Sequence, residues 1–178
     1  MDSMLIFLIL NQFLWAQAPS LEGRWVQPCQ NKVVREELFQ GPSVALTEFY
    51  FSDGACTTPL LTFRNQGGFQ ADSGLIDFSF EQVFIGVYHE AIIADFNDRK
   101  VCGFNDWSAG NEKLVSGLKC EIYGPGAGIQ VPPPGQKRYG IYKIIGDLLY
   151  FGRLTLEYDA LSPEKRPTDF DTRYYVRQ

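Results

Sequence analysis

Apolar and polar residues in this chain alternate with a period of two far more often than they fall at helical spacing. The clearest stretch is Leu75 to Phe80. There Ile76, Phe78 and Phe80 share one face, and Leu75, Asp77 and Ser79 share the other. Val83 to Tyr88 extends this pattern as a strand. Gly23 to Gln27 reads as a first strand. Val44 to Ser52 (VALTEFYFS) is rich in β-formers and ends at the turn Asp53-Gly54. Pro59 to Arg64 follows, with a bend at Gly67-Gly68. Tyr139 to Ile145, the pair Gly146-Asp147 and Leu148 to Leu156 carry a hairpin pattern, in which Leu154, Leu156 and Tyr158 alternate with Arg153, Thr155 and Glu157. Val115 to Tyr123 is a further strand candidate, and Thr172 to Val176 reads as a closing strand. Only His89 to Asn97 has helical spacing, through Ile92, Ile93 and Phe96. Val101 to Cys120 reads as a polar loop, and the Pro- and Gly-rich stretch Gly124 to Gly135 as another. The pattern predicts an all-β chain of about eight to ten short antiparallel strands with one short helix, in a barrel or sandwich.

The N-terminus departs from this pattern. Met4 to Leu14 is an apolar run broken by Asn11, too short for a membrane span and followed by Ala16-Gln17-Ala18. It reads as a signal peptide over residues 1–18, cleaved after Ala16 or Ala18, and the alternative is an uncleaved amphipathic helix. No Cys stands at the cleavage point, which argues against a bacterial lipid anchor. Residues 19–178 then form a single domain of about 160 residues, large enough to bury a core. No later segment has the length and apolarity of a transmembrane helix. The expected location is outside the cell or in a periplasm.

Composition narrows the function classes. Apolar content of 45% and aromatic content of 15% argue against disorder. The net charge of −5 argues against nucleic acid or an anionic membrane as main partner. The four cysteines, Cys29, Cys56, Cys102 and Cys120, form no CxxC pair, so two disulfides are expected rather than a zinc site. Catalytic chemistry has little to stand on. His89 is the only histidine, and no GxSxG nucleophile elbow occurs. Asp169 and Asp171 read as solvated acids. Asp95, Asn97 and Asp98 lack the spacing of a calcium loop. No enzyme, metal or cofactor is expected.

The segment Leu21-Glu22-Gly23-Arg24-Trp25-Val26-Gln27-Pro28-Cys29 is the most distinctive. Gly23 leaves room for another backbone, and Trp25 is large enough to plug one end of a small barrel; the bland alternative is an ordinary core Trp. Arg173 or Arg177 could stack on its face, or each could simply be solvated.

Three blocks carry a resemblance to a known family. The first is Gly23-Arg24-Trp25 with Cys29. The second is Leu46-Thr47-Glu48-Phe49-Tyr50-Phe51 followed by Ser52-Asp53-Gly54-Ala55-Cys56-Thr57-Thr58-Pro59. The third is Cys102-Gly103, Trp107, Gly110 and Gly117-Leu118-Lys119-Cys120. Leu148-Leu149-Tyr150-Phe151-Gly152 and Arg166-Pro167-Thr168 add to it. Over most of Leu21 to Thr168 the chain resembles the module of the adenomatosis polyposis coli down-regulated protein, a Wnt inhibitor at animal cell surfaces. It departs in holding one module and no transmembrane anchor, which leaves a Wnt-type partner open. The resemblance implies a single antiparallel lipocalin-like β-barrel that accommodates a lipid or acyl chain. It also implies the pairing Cys29–Cys56, and with it Cys102–Cys120. Gly-x-Trp is similar to lipocalins at large, where a basic residue of the last strand packs on the Trp.

The aromatic faces of the strands fit either a filled core or a cavity, and the resemblance favours the cavity. The expected lining is Phe49 and Phe51, Leu61 and Phe63, Ile76, Phe78 and Phe80, then Tyr142, Leu149 and Phe151. The expected function is non-catalytic binding of a hydrophobic small molecule or lipid, such as a fatty acyl group free or on a lipidated protein. The alternative is an extracellular or envelope protein-interaction module whose barrel core is solid.

Overall fold

A computed structural model describes residues 20–178; the expected leader lies outside the described residues. Eight strands close into an antiparallel barrel: β1 (Gly23–Gln30), β2 (Val33–Gln40), β3 (Ser43–Phe51), β4 (Pro59–Asp72), β5 (Leu75–Val87), β9 (Gln136–Ile145), β10 (Leu148–Phe151) and β11 (Tyr175–Arg177). Neighbours in this list pair with each other, and β11 returns to β1 through Trp25 opposite Arg177. Closure leaves no free edge around the ring.

Residues 88–135 form an excursion. It holds α1 (Glu90–Arg99), the short β6 (Lys113–Leu114), which pairs antiparallel with the upper part of β5, and a small ladder of β7 (Lys119–Cys120) with β8 (Ile129–Gln130). The helix begins where the sequence pattern expects it, and Lys100 ends it in the left-handed region, φ 51°. The stretch 101–120 is more than the polar loop expected. Val101, Trp107 and Val115 are buried against Phe96 of α1 and against Val83, Ile85 and Val87 of β5. Asn97 holds the Trp107 backbone from both sides: its Oδ1 accepts from the amide at 2.6 Å and its Nδ2 donates to the carbonyl at 3.0 Å. The expected strand over Val115 to Tyr123 is reduced to β7, because the chain is folding over the barrel mouth rather than running along its wall.

A bulge in β5 makes this cap possible. Gln66 pairs with Gln82 and Gly67 with Phe80, so Glu81 has no partner. The extra residue shifts the inward face from Ile76, Phe78 and Phe80 to Val83, Ile85 and Val87. One strand thus lines the barrel below and carries the cap above.

At the other end the core is dense. Trp25 has no exposed surface and packs with Phe39, Val44, Ile76 and Leu149. Its indole Nε1 donates to the Leu21 carbonyl at 2.7 Å. Arg177 stacks on the ring, its guanidinium carbon 4.2 Å from the centroid, and donates to the carbonyls of Glu22 (2.9 Å) and Ser20 (2.5 Å). Arg173 faces elsewhere. Gly23 adopts φ +109°, and an added Cβ would stand 3.9 Å from the Arg177 Nη1. That is ordinary contact distance, so the glycine serves its backbone conformation and not, as expected, room for another backbone.

The hairpin turns at Gly146-Asp147 as predicted, but β10 stops at Phe151 instead of Leu156. A Cβ on Gly152 would lie 2.5 Å from the Pro167 Cβ, so the returning segment 160–171 crosses the wall there. Leu154 and Leu156 are left on an exposed loop. Arg166 fastens that segment: Nη2 donates to Asp77 at 2.7 Å and Nη1 to the Gly140 carbonyl at 2.5 Å, clasping β5 and β9 together. Both disulfides have the pairing implied by the resemblance. Cys29–Cys56 ties the end of β1 to the β3–β4 loop, and Cys102–Cys120 ties the end of α1 to β7.

Candidate functional site

Between the dense end and the capped mouth lies a cavity of about 570 Å³. A second, of about 340 Å³, sits beneath the 123–132 segment. Both are bordered by Glu48, Phe80 and Arg138. The larger falls within the usual size range of small-molecule sites, roughly 300–1,000 Å³. Arg153 and Leu154 stand exposed on its border.

One wall is apolar. Phe78 and Phe80 stack on β5 with centroids 5.6 Å apart, and Phe151 of β10 lies 6.3 Å from Phe78. Leu46 of β3 adds an apolar position on the facing wall. The opposite wall is polar, and it comes from strands whose inward positions alternate apolar with charged. On β2 the inward set is Arg35, Glu37 and Phe39; on β3 it is Val44, Leu46, Glu48 and Tyr50.

Most of these charges are paired. Arg35 Nε donates to its cross-strand neighbour Glu48 at 2.6 Å, and the Tyr50 hydroxyl donates to the other Glu48 oxygen at 2.6 Å. Burial and this carboxylate push the Tyr50 phenol up. Arg173 grips Asp171 at 2.5 Å and holds that carboxyl below its usual range. Two groups stand apart. Glu37 lies opposite Trp25 on one side and Leu46 on the other, with 7% of its surface exposed. Its Oε2 has no hydrogen-bond partner. Burial pushes its carboxyl up to about 8, and the facing Tyr175 hydroxyl and Arg35 offset this only in part. Arg138 of β9 lies opposite Phe78. Its hydrogen bond is to the neighbouring Lys137 carbonyl at 3.4 Å, and burial lowers its pKa.

The residues predicted from sequence are distributed unevenly. Phe78, Phe80 and Phe151 border the larger cavity, and Phe63 and Phe80 the smaller. Ile76 and Leu149 are buried in the dense end, with Tyr142 packed against that cluster. Leu61 packs against the cap. Phe49 and Phe51 are a correction: Glu48 and Tyr50 point inward, so both Phe side chains lie on the outer face. Sequence reasoning missed Glu37, Arg138, Arg35 and Gln27. The only available signal was the alternation of VVREELFQ, which places Arg35 and Glu37 on one face with Phe39.

His89 is exposed and precedes the first turn of α1. Asp169 pairs with Arg153 at 3.4 Å, while Asp171 borders the cavity rather than standing free. Among the described residues no three His, Cys, Asp or Glu gather as a metal site, and no helix is long and apolar enough to cross a membrane. No family model matches the chain, and no curated protein matches its sequence.

Proposed function

We propose that this barrel binds a hydrophobic small molecule, an acyl lipid or a compound of similar shape, without transforming it. The observation that carries this reading is the cavity of about 570 Å³ with Phe78, Phe80 and Phe151 along one wall and Leu46 on the facing one. A barrel of about eight strands can either fill with side chains or hold one ligand. Here the interior is divided: the Trp25 end is filled, and the middle is open. Each methylene buried against the aromatic wall would contribute about 0.8 kcal/mol. A solid-core interaction module has no need of such a space. The resemblance to the adenomatosis polyposis coli down-regulated module supports the same reading. Two disulfides fit a protein exported to an oxidising compartment.

Native mass spectrometry of the purified protein, with titration of Nile red and its displacement by fatty acids, tests the reading. A co-purifying lipid or saturable displacement is the expected result. An apo mass with no uptake of dye or lipid would overturn it.

A further inference from the structure

We propose that the ligand is a monoanionic amphiphile, an acid with a single carboxylate, and that Arg138 is the residue that receives the carboxylate. The inference rests on the binding reading above and names its chemical class.

The argument is a count of charge around the larger cavity. Its border carries the guanidinium groups of Arg35, Arg138, Arg153 and Arg173 and the carboxyl groups of Glu37, Glu48 and Asp171. Arg35 and Glu48 neutralise each other at 2.6 Å, and Arg173 and Asp171 do so at 2.5 Å. Arg153 stands at the exposed rim and pairs with Asp169. Glu37 has no bonded cation and an oxygen without a partner, between Trp25 and Leu46. A buried, unpaired carboxylate is too costly to keep, so Glu37 takes up a proton. Its raised pKa of about 8 agrees with that. One positive charge is then left over, on Arg138.

Arg138 cannot discharge this by losing its proton, because a guanidinium stays charged. It has no carboxylate at ion-pair distance among the described residues. Asp159, the acid that acts on it from a distance, is already held by the Lys165 ammonium at 3.0 Å and the Leu161 amide at 3.0 Å. The side chain lies on the shared border of both cavities, opposite Phe78. A planar fork beside an apolar wall fits a carboxylate carrying a hydrocarbon tail. An inorganic anion would leave the aromatic wall unused. An ester or amide of the same acid, as on a lipidated protein, would leave the guanidinium unpaired.

The test is displacement of Nile red, a neutral dye, by dodecanoic acid and by its methyl ester at pH 7. It is run on the wild-type protein, Arg138→Gln and Arg138→Lys, and the quantity read is the ratio of acid to ester affinity. A charge-assisted pair should favour the acid by about ten-fold in the wild type. The ratio should fall to about one in Arg138→Gln and recover in part in Arg138→Lys, which restores the charge in the same fold. Equal affinities in the wild type, or an acid preference that survives Arg138→Gln, would overturn the assignment while leaving the binding reading intact. Failure of both compounds to displace the dye, with no uptake of dye, would overturn both.

Discussion

Glu37→Gln should make this protein more stable at neutral pH and leave it nearly unchanged in mild acid. The carboxyl of Glu37 titrates near 4.5 in the unfolded chain and near 8 in the barrel. Between those values the folded state holds a proton that the unfolded state releases. Stability therefore falls as pH rises from 4.5 and levels off above 8. Each pH unit in that window costs about 1.4 kcal/mol, so the penalty by pH 7 is about 3 kcal/mol. Glutamine keeps the shape and hydrogen-bonding capacity of the neutral acid and carries no such penalty. For a domain of this size, about 3 kcal/mol corresponds to a rise in Tm of roughly 6–12 °C. Thermal melts of both proteins at pH 4.5, 7 and 9 supply the comparison. The gap should be small at pH 4.5, wide at pH 7 and widest at pH 9. A gap that does not change with pH, or a variant less stable than the parent at pH 7, would refute the neutral buried acid and the charge count built on it.

Affinity for an anionic ligand should weaken as pH rises through about 8, because ionised Glu37 returns a negative charge to a cavity that also faces Glu48, Arg35 and Tyr175; titrations of dodecanoic acid at pH 7 and 9 check this, and Glu37→Gln should abolish the difference. Leu46→Trp should abolish dye uptake at little cost in Tm, since the new ring enters open space. Leu61→Trp should instead lower stability by about 1–3 kcal/mol, because Leu61 already packs against the cap. Arg177→Ala should cost about 1–2 kcal/mol in urea unfolding, through the lost stacking on Trp25 and two lost carbonyl contacts.

The parts of this fold that could be read from sequence are those where polarity tracks orientation. Leu75 to Phe80 alternates cleanly, because one face meets the barrel interior and the other does not. The Gly146-Asp147 hairpin and the helix after His89 were legible for similarly local reasons. β2 was not. Its inward set of Arg35, Glu37 and Phe39 carries two charges against one in its outward set of Val34, Glu36 and Leu38, so hydrophobicity alone points to the wrong face. On β3 the same effect inverted the reading. Phe49 and Phe51 look like the lining, yet Glu48 and Tyr50 occupy it, because the barrel interior carries charge that only cross-strand partners such as Arg35 reconcile. The burial of Val101, Trp107 and Val115 was also out of reach, since it depends on the bulge at Glu81, which turns the upper part of β5 toward the cap.

The pairing of β1 with β11 has a consequence for how the protein is made. Trp25 meets Arg177, so the ring closes between the first and the last of its eight strands to leave the ribosome. Until β11 emerges, β1 and β10 each present an unpaired edge, and the Trp25 cluster lacks Tyr175. Such a chain gains little by folding as it is synthesised and is exposed to aggregation if it waits. Closure of the barrel then waits until β11 is available to pair with both β1 and β10.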